Sequence, residues 1–133
     1  MRAEVRQIAG YHHEITVDGH VLEVDEPVEA GGSDAGPTPT RLLAASLASC
    51  VAITIRMYAE RKGWDITGLG VAAEFEGAPK AGETARFVID LTMPPGLSEE
   101  QAERIAVIAG KCPVHRTLSG PVEIEQRTHP ADG

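Results

Sequence analysis

Two cysteines carry the most reactive side chains in this sequence of 133 residues. Cys50 lies within a long apolar stretch, where spacing alone favours a packed core thiol, because free cysteine is among the most buried residue types. Cys112 precedes Pro113, and proline fits the first position of a helix, so we predict that Cys112 is the N-cap of a short helix. The positive end of that helix and the nearby basic side chains predict a lowered pKa for this thiol. Those basic residues are Lys111, His115 and Arg116.

The Cys-x-x-His motif formed by Cys112 and His115 is a weak signal for a metal site. Zinc needs four ligands, and the other histidines show no second paired spacing, although Cys50 could join as a third ligand. The motifs of serine hydrolases, P-loop NTPases and dinucleotide-binding proteins are all missing from the sequence. We therefore expect no metal and no other cofactor. We interpret the acidic pair Asp25 and Glu26 as solvated charge.

The charge balance excludes several classes of partner. Asp and Glu number 20 against 12 Lys and Arg, and the net charge of −8 removes the electrostatic driving force for binding nucleic acids or anionic membranes.

The uncharged run 42–55 is shorter than the ~20 residues that a membrane span needs. The length of 133 residues predicts a single domain over residues 1–133. The N-terminus shows no apolar signal segment, so we expect a cytoplasmic location.

The dipeptide Asp18-Gly19 supplies the positive φ angles of a type I′ turn and predicts a β-hairpin over residues 11–24. In the register that this turn sets, Ile15 lies opposite Leu22. One face of the hairpin should then be buried, because alternate residues share a face. That face carries Ile15, Val17, Leu22 and Val24.

Residues 26–37 lack periodicity and are rich in Gly, Pro, Ala and acidic residues, which predicts a loop of the kind that lines sites. Thr38 is a candidate N-cap, and the helix that it opens is predicted to end near Lys62, before Gly63. The run 42–55 is apolar on every face, so it must be surrounded by protein at the centre of the fold or at a subunit interface. We therefore expect a homodimer.

Further strands and two helices complete the predicted fold. Strands are indicated at residues 3–8, 69–76 and 84–93, with a final strand at Val122 and Ile124. A capping box at Ser98 and Gln101 opens a helix that ends at Gly110. Its inward residues are predicted to be Ala102, Ile105, Ala106 and Ala109. A short helix over 113–118 follows. This order predicts an α+β domain with one mostly antiparallel sheet and a long buried central helix.

Three motifs in this order resemble the OsmC/Ohr family. They are GPTP (36–39) leading through LLAA (42–45) to Cys50, then RMYAERKGW (56–64), and finally KCPVHRTL (111–118). The resemblance extends from about residue 25 to residue 124, and its last motif looks most like the OsmC-like branch. It implies an OsmC-like fold in an intertwined α+β homodimer, with the central helices buried between the subunits. It also implies a cysteine-based peroxidase that acts on organic hydroperoxides.

The resemblance also implies roles for single residues. Cys50 matches the peroxidatic cysteine of the family and Cys112 the resolving one, which makes Cys50 a reactive thiol. The family usually has an acidic residue just after the second proline of Gly-Pro-x-Pro, where this sequence has Thr40 and Arg41. Arg41 could supply positive charge to Cys50, or it could be a solvated residue of the first helical turn. Helical rise separates the Cα atoms of Arg41 and Cys50 by about 13 Å along the axis.

Two hypotheses of function follow. In the first, the protein is a thiol-dependent peroxidase of oxidative-stress defence: Cys50 attacks a hydrophobic organic hydroperoxide, Cys112 closes a disulfide, and an external dithiol reduces that disulfide. In the second, an apolar pocket at the interface of a homodimer binds a hydrophobic ligand without catalysis, and the missing carboxylate motivates this alternative. Neither hypothesis involves a nucleic acid, a membrane or a cofactor.

Overall fold

Five β-strands and three α-helices form over residues 1–131, the part of the chain that the computed structural model describes. In chain order they are β1 (Ala3–Ala9), β2 (His12–Val17), β3 (His20–Val24), α1 (Pro39–Lys62), β4 (Gly70–Phe75), β5 (Phe87–Thr92), α2 (Glu99–Ala109) and α3 (Pro113–Ser119). The chain divides into two compact units. The first unit holds Met1–Ser49 and Gly70–Thr92, and the second holds Cys50–Leu69 and the chain from Met93 onward.

Strands β1, β2 and β3 form an antiparallel sheet in the first unit. Asp18 and Gly19 have φ angles of 46° and 81°, which confirms the predicted turn. Ile15 pairs with Leu22, as the turn predicts. The register of β1 against β2 shifts at residues 7–9. This bulge explains why the apolar residues of β1 do not keep period two.

The prediction of one buried hairpin face is only partly correct. Val24 is buried, but Ile15 and Val17 are half-buried and Leu22 is 45 % exposed. Strand alternation places these side chains on one face, but burial also requires other residues packed over that face. Within residues 1–131, such packing covers only the end of the hairpin face that carries Val24.

The loop after β3 is held by Asp25, whose side chain is buried, so its interpretation as solvated charge is wrong. Its carboxylate accepts N–H groups from Glu26 (2.7 Å), Ser33 (3.1 Å) and Ala35 (3.1 Å). Burial alone would raise the pKa of Asp25, but the three N–H groups, with a contribution from the charge of His12, lower it overall. The expected loop is therefore ordered around one ionised carboxylate.

Helix α1 begins and ends where the sequence predicts. Thr38 caps it, because its Oγ1 accepts the N–H of Arg41 at 3.3 Å. Gly63 ends it with a φ of 71°. Leu47, Val51, Ile55 and Ala59 form a buried stripe at four-residue spacing. By length and composition alone, α1 is long and apolar enough to cross a membrane. Only 28 % of its most apolar 18-residue segment is buried, so one chain leaves much of the apolar surface of α1 uncovered.

Strands β4 and β5 pair antiparallel, and Phe75 stacks on Phe87 with ring centroids 4.5 Å apart. They form a second sheet, separate from the sheet of β1, β2 and β3. The strands are antiparallel, as predicted, but the prediction of a single sheet is wrong. Sequence alternation identifies strands and their faces, but it carries no information on which hairpins share an edge. The α+β class and the long helix are confirmed.

The second unit contains α2 and α3. The predicted capping box is present, since the Ser98 side chain accepts the N–H of Gln101 at 3.1 Å. Ile105, Ile108 and Ala109 are the buried residues of α2. Ala106 is exposed and Ala102 is half-buried, so two of the four expected inward residues are not buried.

The final strand predicted at Val122 and Ile124 is wrong, because residues 121–130 lie in neither a helix nor a strand. Both side chains are exposed, at 61 % and 87 %. A strand needs a neighbour for its backbone groups, and the described chain pairs no strand with this segment.

Candidate functional site

Cys112 lies in the second unit as the N-cap of α3, as predicted. Pro113 occupies the first turn of the helix, and Cys112 Sγ accepts the N–H of His115 at 3.1 Å. The Cys112 residue is 0 % exposed. The N-cap position of Cys112 therefore follows from a local sequence signal, the proline after it. Its burial follows from the packing of the fold around it.

Cys50 belongs to the same unit, on the central part of α1, and is a half-buried free thiol. The fold brings Cys50 close enough to Cys112 to raise the pKa of the Cys112 thiol. The structure thus pairs two residues that lie 62 positions apart in the sequence.

The lowered pKa expected for Cys112 is wrong. Burial raises the pKa of the Cys112 thiol, because it penalises the thiolate, and the neighbouring Cys50 raises it further. The N–H groups of His115 and Val114 act in the opposite direction and are outweighed. The helix N-terminus does stabilise negative charge on Cys112, but a sequence cannot show how deeply the thiol will be buried.

His115 is half-buried, and its Nδ1 lies 3.2 Å from Ser119 Oγ. This contact agrees with a histidine that hydrogen-bonds within its own helix. Among residues 1–131, no three His, Cys, Asp or Glu side chains are grouped closely enough to hold a metal ion.

Arg41 is exposed and lies in the first unit, in the first turn of α1. It lines a cavity of about 710 Å³ together with small residues of α1 and residues near the end of β4. These include Ala44, Ala45, Ala48, Glu74 and Glu76. Arg41 and Cys50 are nine positions apart on the helix, and at 3.6 residues per turn the two side chains leave α1 on opposite faces. Within one chain, helix geometry therefore keeps these two side chains apart.

Sequence reasoning missed two features. One is the role of Asp25 in holding the loop. The glycines that follow it were a usable signal of a tightly packed loop, since a Cβ on Gly32 would lie 1.9 Å from the carbonyl oxygen of Glu26. The other is a contact between Tyr58 and Arg104, whose Nε donates to the Tyr58 hydroxyl at 3.0 Å. Those residues are 46 positions apart, and no pattern in the sequence links them.

Comparison with known proteins gives one family and several similar structures. The model of the family described as OsmC-like protein matches residues 31–127. No curated protein matches the sequence. A crystal structure of an organic hydroperoxide resistance protein OsmC from Legionella pneumophila is 26 % identical, with 90 % of this chain and 88 % of that chain covered and a TM-score of 0.65.

Two further crystal structures share the fold. An OsmC-like protein from Mycoplasma pneumoniae has a TM-score of 0.75 at 21 % identity, with 90 % of this chain and 86 % of that chain covered. The organic hydroperoxide resistance protein OhrB of Bacillus subtilis has a TM-score of 0.58 at 23 % identity, with coverage of 90 % and 92 %. Since the family match spans most of the chain, this protein belongs to the OsmC-like family.

Proposed function

We propose that this protein is a thiol-dependent peroxidase that reduces organic hydroperoxides. The observation that carries the proposal is the pair of adjacent free thiols, Cys50 and Cys112, in one compact unit. The similarity to the Legionella organic hydroperoxide resistance protein supports the same substrate class.

The reaction proceeds in three steps. The thiolate of Cys50 attacks the distal oxygen of the hydroperoxide, the O–O bond breaks, and the departing alkoxide takes a proton to become an alcohol. Cys112 then attacks the sulfenic acid on Cys50, which forms a disulfide and releases water. An external dithiol reduces the disulfide, is itself oxidised to a disulfide, and returns both thiols to the enzyme.

The burial of the two thiols and the raised pKa of Cys112 support this division of roles. Cys50 is half-buried, so a peroxide has access to it, whereas Cys112 is fully buried. The raised pKa of Cys112 keeps that thiol protonated near neutral pH, and a protonated thiol is a poor nucleophile. Cys50 is therefore the better candidate for the first attack, and Cys112 for the second step.

We propose further that the working form is a homodimer in the cytoplasm. Ile53 and Met57 lie one turn apart on α1 and are 55 % and 61 % exposed, which leaves a large apolar surface for a second copy to cover. In such a dimer, Arg41 of one subunit could approach Cys50 of the other and stabilise its thiolate. This arrangement avoids the separation that α1 imposes within one subunit.

A steady-state assay tests the proposal. The purified protein is supplied with dithiothreitol and with either cumene hydroperoxide or hydrogen peroxide. We expect turnover with both and a higher kcat/KM for cumene hydroperoxide, because the thiol lies on an apolar helix. No consumption of either peroxide above the rate of dithiothreitol alone would contradict the proposal.

A non-enzymatic hydrophobic binding protein is the second candidate function. One observation favours it: the first unit contains a cavity of about 460 Å³ with mostly apolar walls. Its lining includes Val5, Tyr11, Ile15, Val24 and Leu42. Tight binding of an apolar ligand without peroxide turnover would support this function in place of the peroxidase.

A further inference from the structure

Tyr58 and Arg104 join two helices that each lead to one of the thiols. Tyr58 lies on α1 and Arg104 on α2, and Nε of Arg104 donates a hydrogen bond to the Tyr58 hydroxyl at 3.0 Å. Within residues 1–131, no other side-chain hydrogen bond connects one helix to another. Both residues belong to the second unit, which also holds Cys50 and Cys112. This hydrogen bond is therefore the directional link between α1 and α2.

The contact is equally far along the chain from both thiols. Tyr58 follows Cys50 by eight positions on α1, which is about 12 Å along the helix axis. Arg104 precedes Cys112 by the same eight positions. The hydrogen bond thus joins the two segments that carry the thiols at matching points.

The connection from α2 to Cys112 is short and hydrogen-bonded. The N–H of Gly110 donates to the carbonyl oxygen of Val107 at 3.2 Å. The N–H of Lys111, the next residue, donates to the carbonyl oxygen of Ile108 at 2.9 Å. Cys112 follows directly and is fully buried. Cys112 therefore moves with α2, and a shift of α2 against α1 changes the distance between the two thiols.

Apolar packing also holds α2 in the second unit, since Ile105 is fully buried beside Arg104. The hydrophobic effect is non-directional, so it opposes the separation of two helices more than their sliding or rotation. A hydrogen bond has a preferred distance and angle. A disulfide is also demanding, because it needs Cα atoms within about 7 Å and side chains that point toward each other. The Tyr58 hydroxyl and Arg104 supply a restraint of the kind that disulfide closure needs.

We propose that Tyr58 and Arg104 are positioning residues for the disulfide between Cys50 and Cys112. They hold α2 against α1 in the arrangement that lets the two sulfurs bond. Because coupling between two sites is reciprocal, the disulfide in turn strengthens the hydrogen bond. This inference rests on the proposed function, since the proposed peroxidase cycle passes through this disulfide.

The equilibrium of the two thiols with dithiothreitol tests the inference without a peroxide. Oxidised dithiothreitol takes two hydrogen atoms from Cys50 and Cys112, whose sulfurs then bond to each other, and it becomes the dithiol. Acid quenching and intact mass give the disulfide fraction over a series of ratios of oxidised to reduced dithiothreitol. Tyr58→Phe and Arg104→Met should each shift this equilibrium toward the protein dithiol about fivefold, which is the net value of one hydrogen bond.

A double variant separates positioning from general destabilisation. If one contact carries the effect, Tyr58→Phe combined with Arg104→Met shifts the equilibrium no further than either substitution alone. Arg61→Met is the matched control. The guanidinium carbon of Arg61 lies 5.9 Å from the centroid of the same ring, but Arg61 is on α1 with Tyr58. Its loss leaves the two helices linked, so this variant should keep the wild-type equilibrium.

The outcomes for the disulfide and for peroxide turnover are distinct. A wild-type equilibrium in both single variants would overturn the inference, as would shifts that add in the double variant. A wild-type protein that forms no disulfide with oxidised dithiothreitol would overturn it too. The expected shifts in a protein that turns over no peroxide would support the positioning role and contradict only the proposed function.

Discussion

At the scale of single residues, the two thiols differ in their access to water. Burial and the proximity of Cys50 raise the pKa of Cys112, so a larger fraction of Cys112 is protonated near neutral pH than in an unfolded chain. A raised pKa means that folding favours the protonated thiol. This contribution to stability is complete below the ordinary pKa of a thiol and is lost as the pH rises through the raised value.

The same shift predicts how disulfide closure depends on pH. Closure requires the thiolate of Cys112, and its fraction grows tenfold for each pH unit below the pKa. After oxidation by one equivalent of cumene hydroperoxide, the rate of disulfide formation should therefore rise steadily from pH 7 to about pH 9. Acid quenching and mass analysis follow this rate. A rate that is constant over that range would show that Cys112 is already ionised at pH 7.

Arg41 provides the second prediction at this scale. If Arg41 of a second subunit stabilises the Cys50 thiolate, Arg41→Ala should lower kcat/KM for cumene hydroperoxide about tenfold or more, because it removes a charge at the reacting centre. Arg56→Ala is a matched control on the same helix. If both variants reduce peroxide as fast as the wild type, Arg41 is a solvated residue and has no part in the reaction.

At the scale of elements, turns, caps and the pairing within a hairpin could be predicted from the sequence, but the arrangement of hairpins into sheets could not. The turn at Asp18-Gly19, the cap at Thr38 and the capping box at Ser98 each depend on neighbours in sequence, and all three are present. The division into two sheets and the absence of a strand at Val122 depend on distant partners. A sequence pattern contains no direct information on these partners.

The candidate site shows the same division. The N-cap position of Cys112 follows from Pro113, but its raised pKa follows from burial, which distant parts of the chain create. Its closeness to Cys50 was expected only through the family resemblance. The sequence interpretation of Asp25 as solvated charge is wrong because its three backbone donors lie up to ten residues away in an irregular loop.

The loop that Asp25 holds gives a prediction at the scale of elements. Asp25→Asn should lower the Tm by several degrees, because an amide replaces a carboxylate that accepts three N–H groups. Asp34→Asn is the control in the same loop. Asp34 has a positive φ of 54°, a conformation that Asn tolerates, so its Tm should hardly change.

The pH dependence of stability checks this account of Asp25. Its pKa is lowered by folding, so its contribution to stability is present above the ordinary pKa of an aspartate and is lost as the pH falls through the lowered value. Wild-type protein should therefore lose more stability on acidification than Asp25→Asn does. Parallel curves for the two proteins would mean that the carboxylate does not hold the loop.

At the scale of the whole molecule, we propose that a second copy of the chain covers the exposed apolar surface of α1. We expect sedimentation to give twice the 14.1 kDa mass of the chain at micromolar concentration. Met57→Glu places a charge on the exposed part of α1 and should shift the protein to the monomer. Val28→Glu makes the same change at a residue that is 68 % exposed in the loop, and it should remain dimeric. A wild-type protein that sediments as a monomer would refute the dimer.

The most direct test of the central claim is the intact mass of the protein after reaction with one equivalent of cumene hydroperoxide. The wild-type protein should lose two hydrogen atoms as Cys50 and Cys112 form a disulfide, which requires Cα atoms within about 7 Å. Cys112→Ser should gain one oxygen atom at Cys50, and Cys50→Ser should keep its mass and consume no peroxide. Peroxide consumption by Cys50→Ser, with Cys112 as the oxidised residue, would contradict the proposed roles of the two thiols.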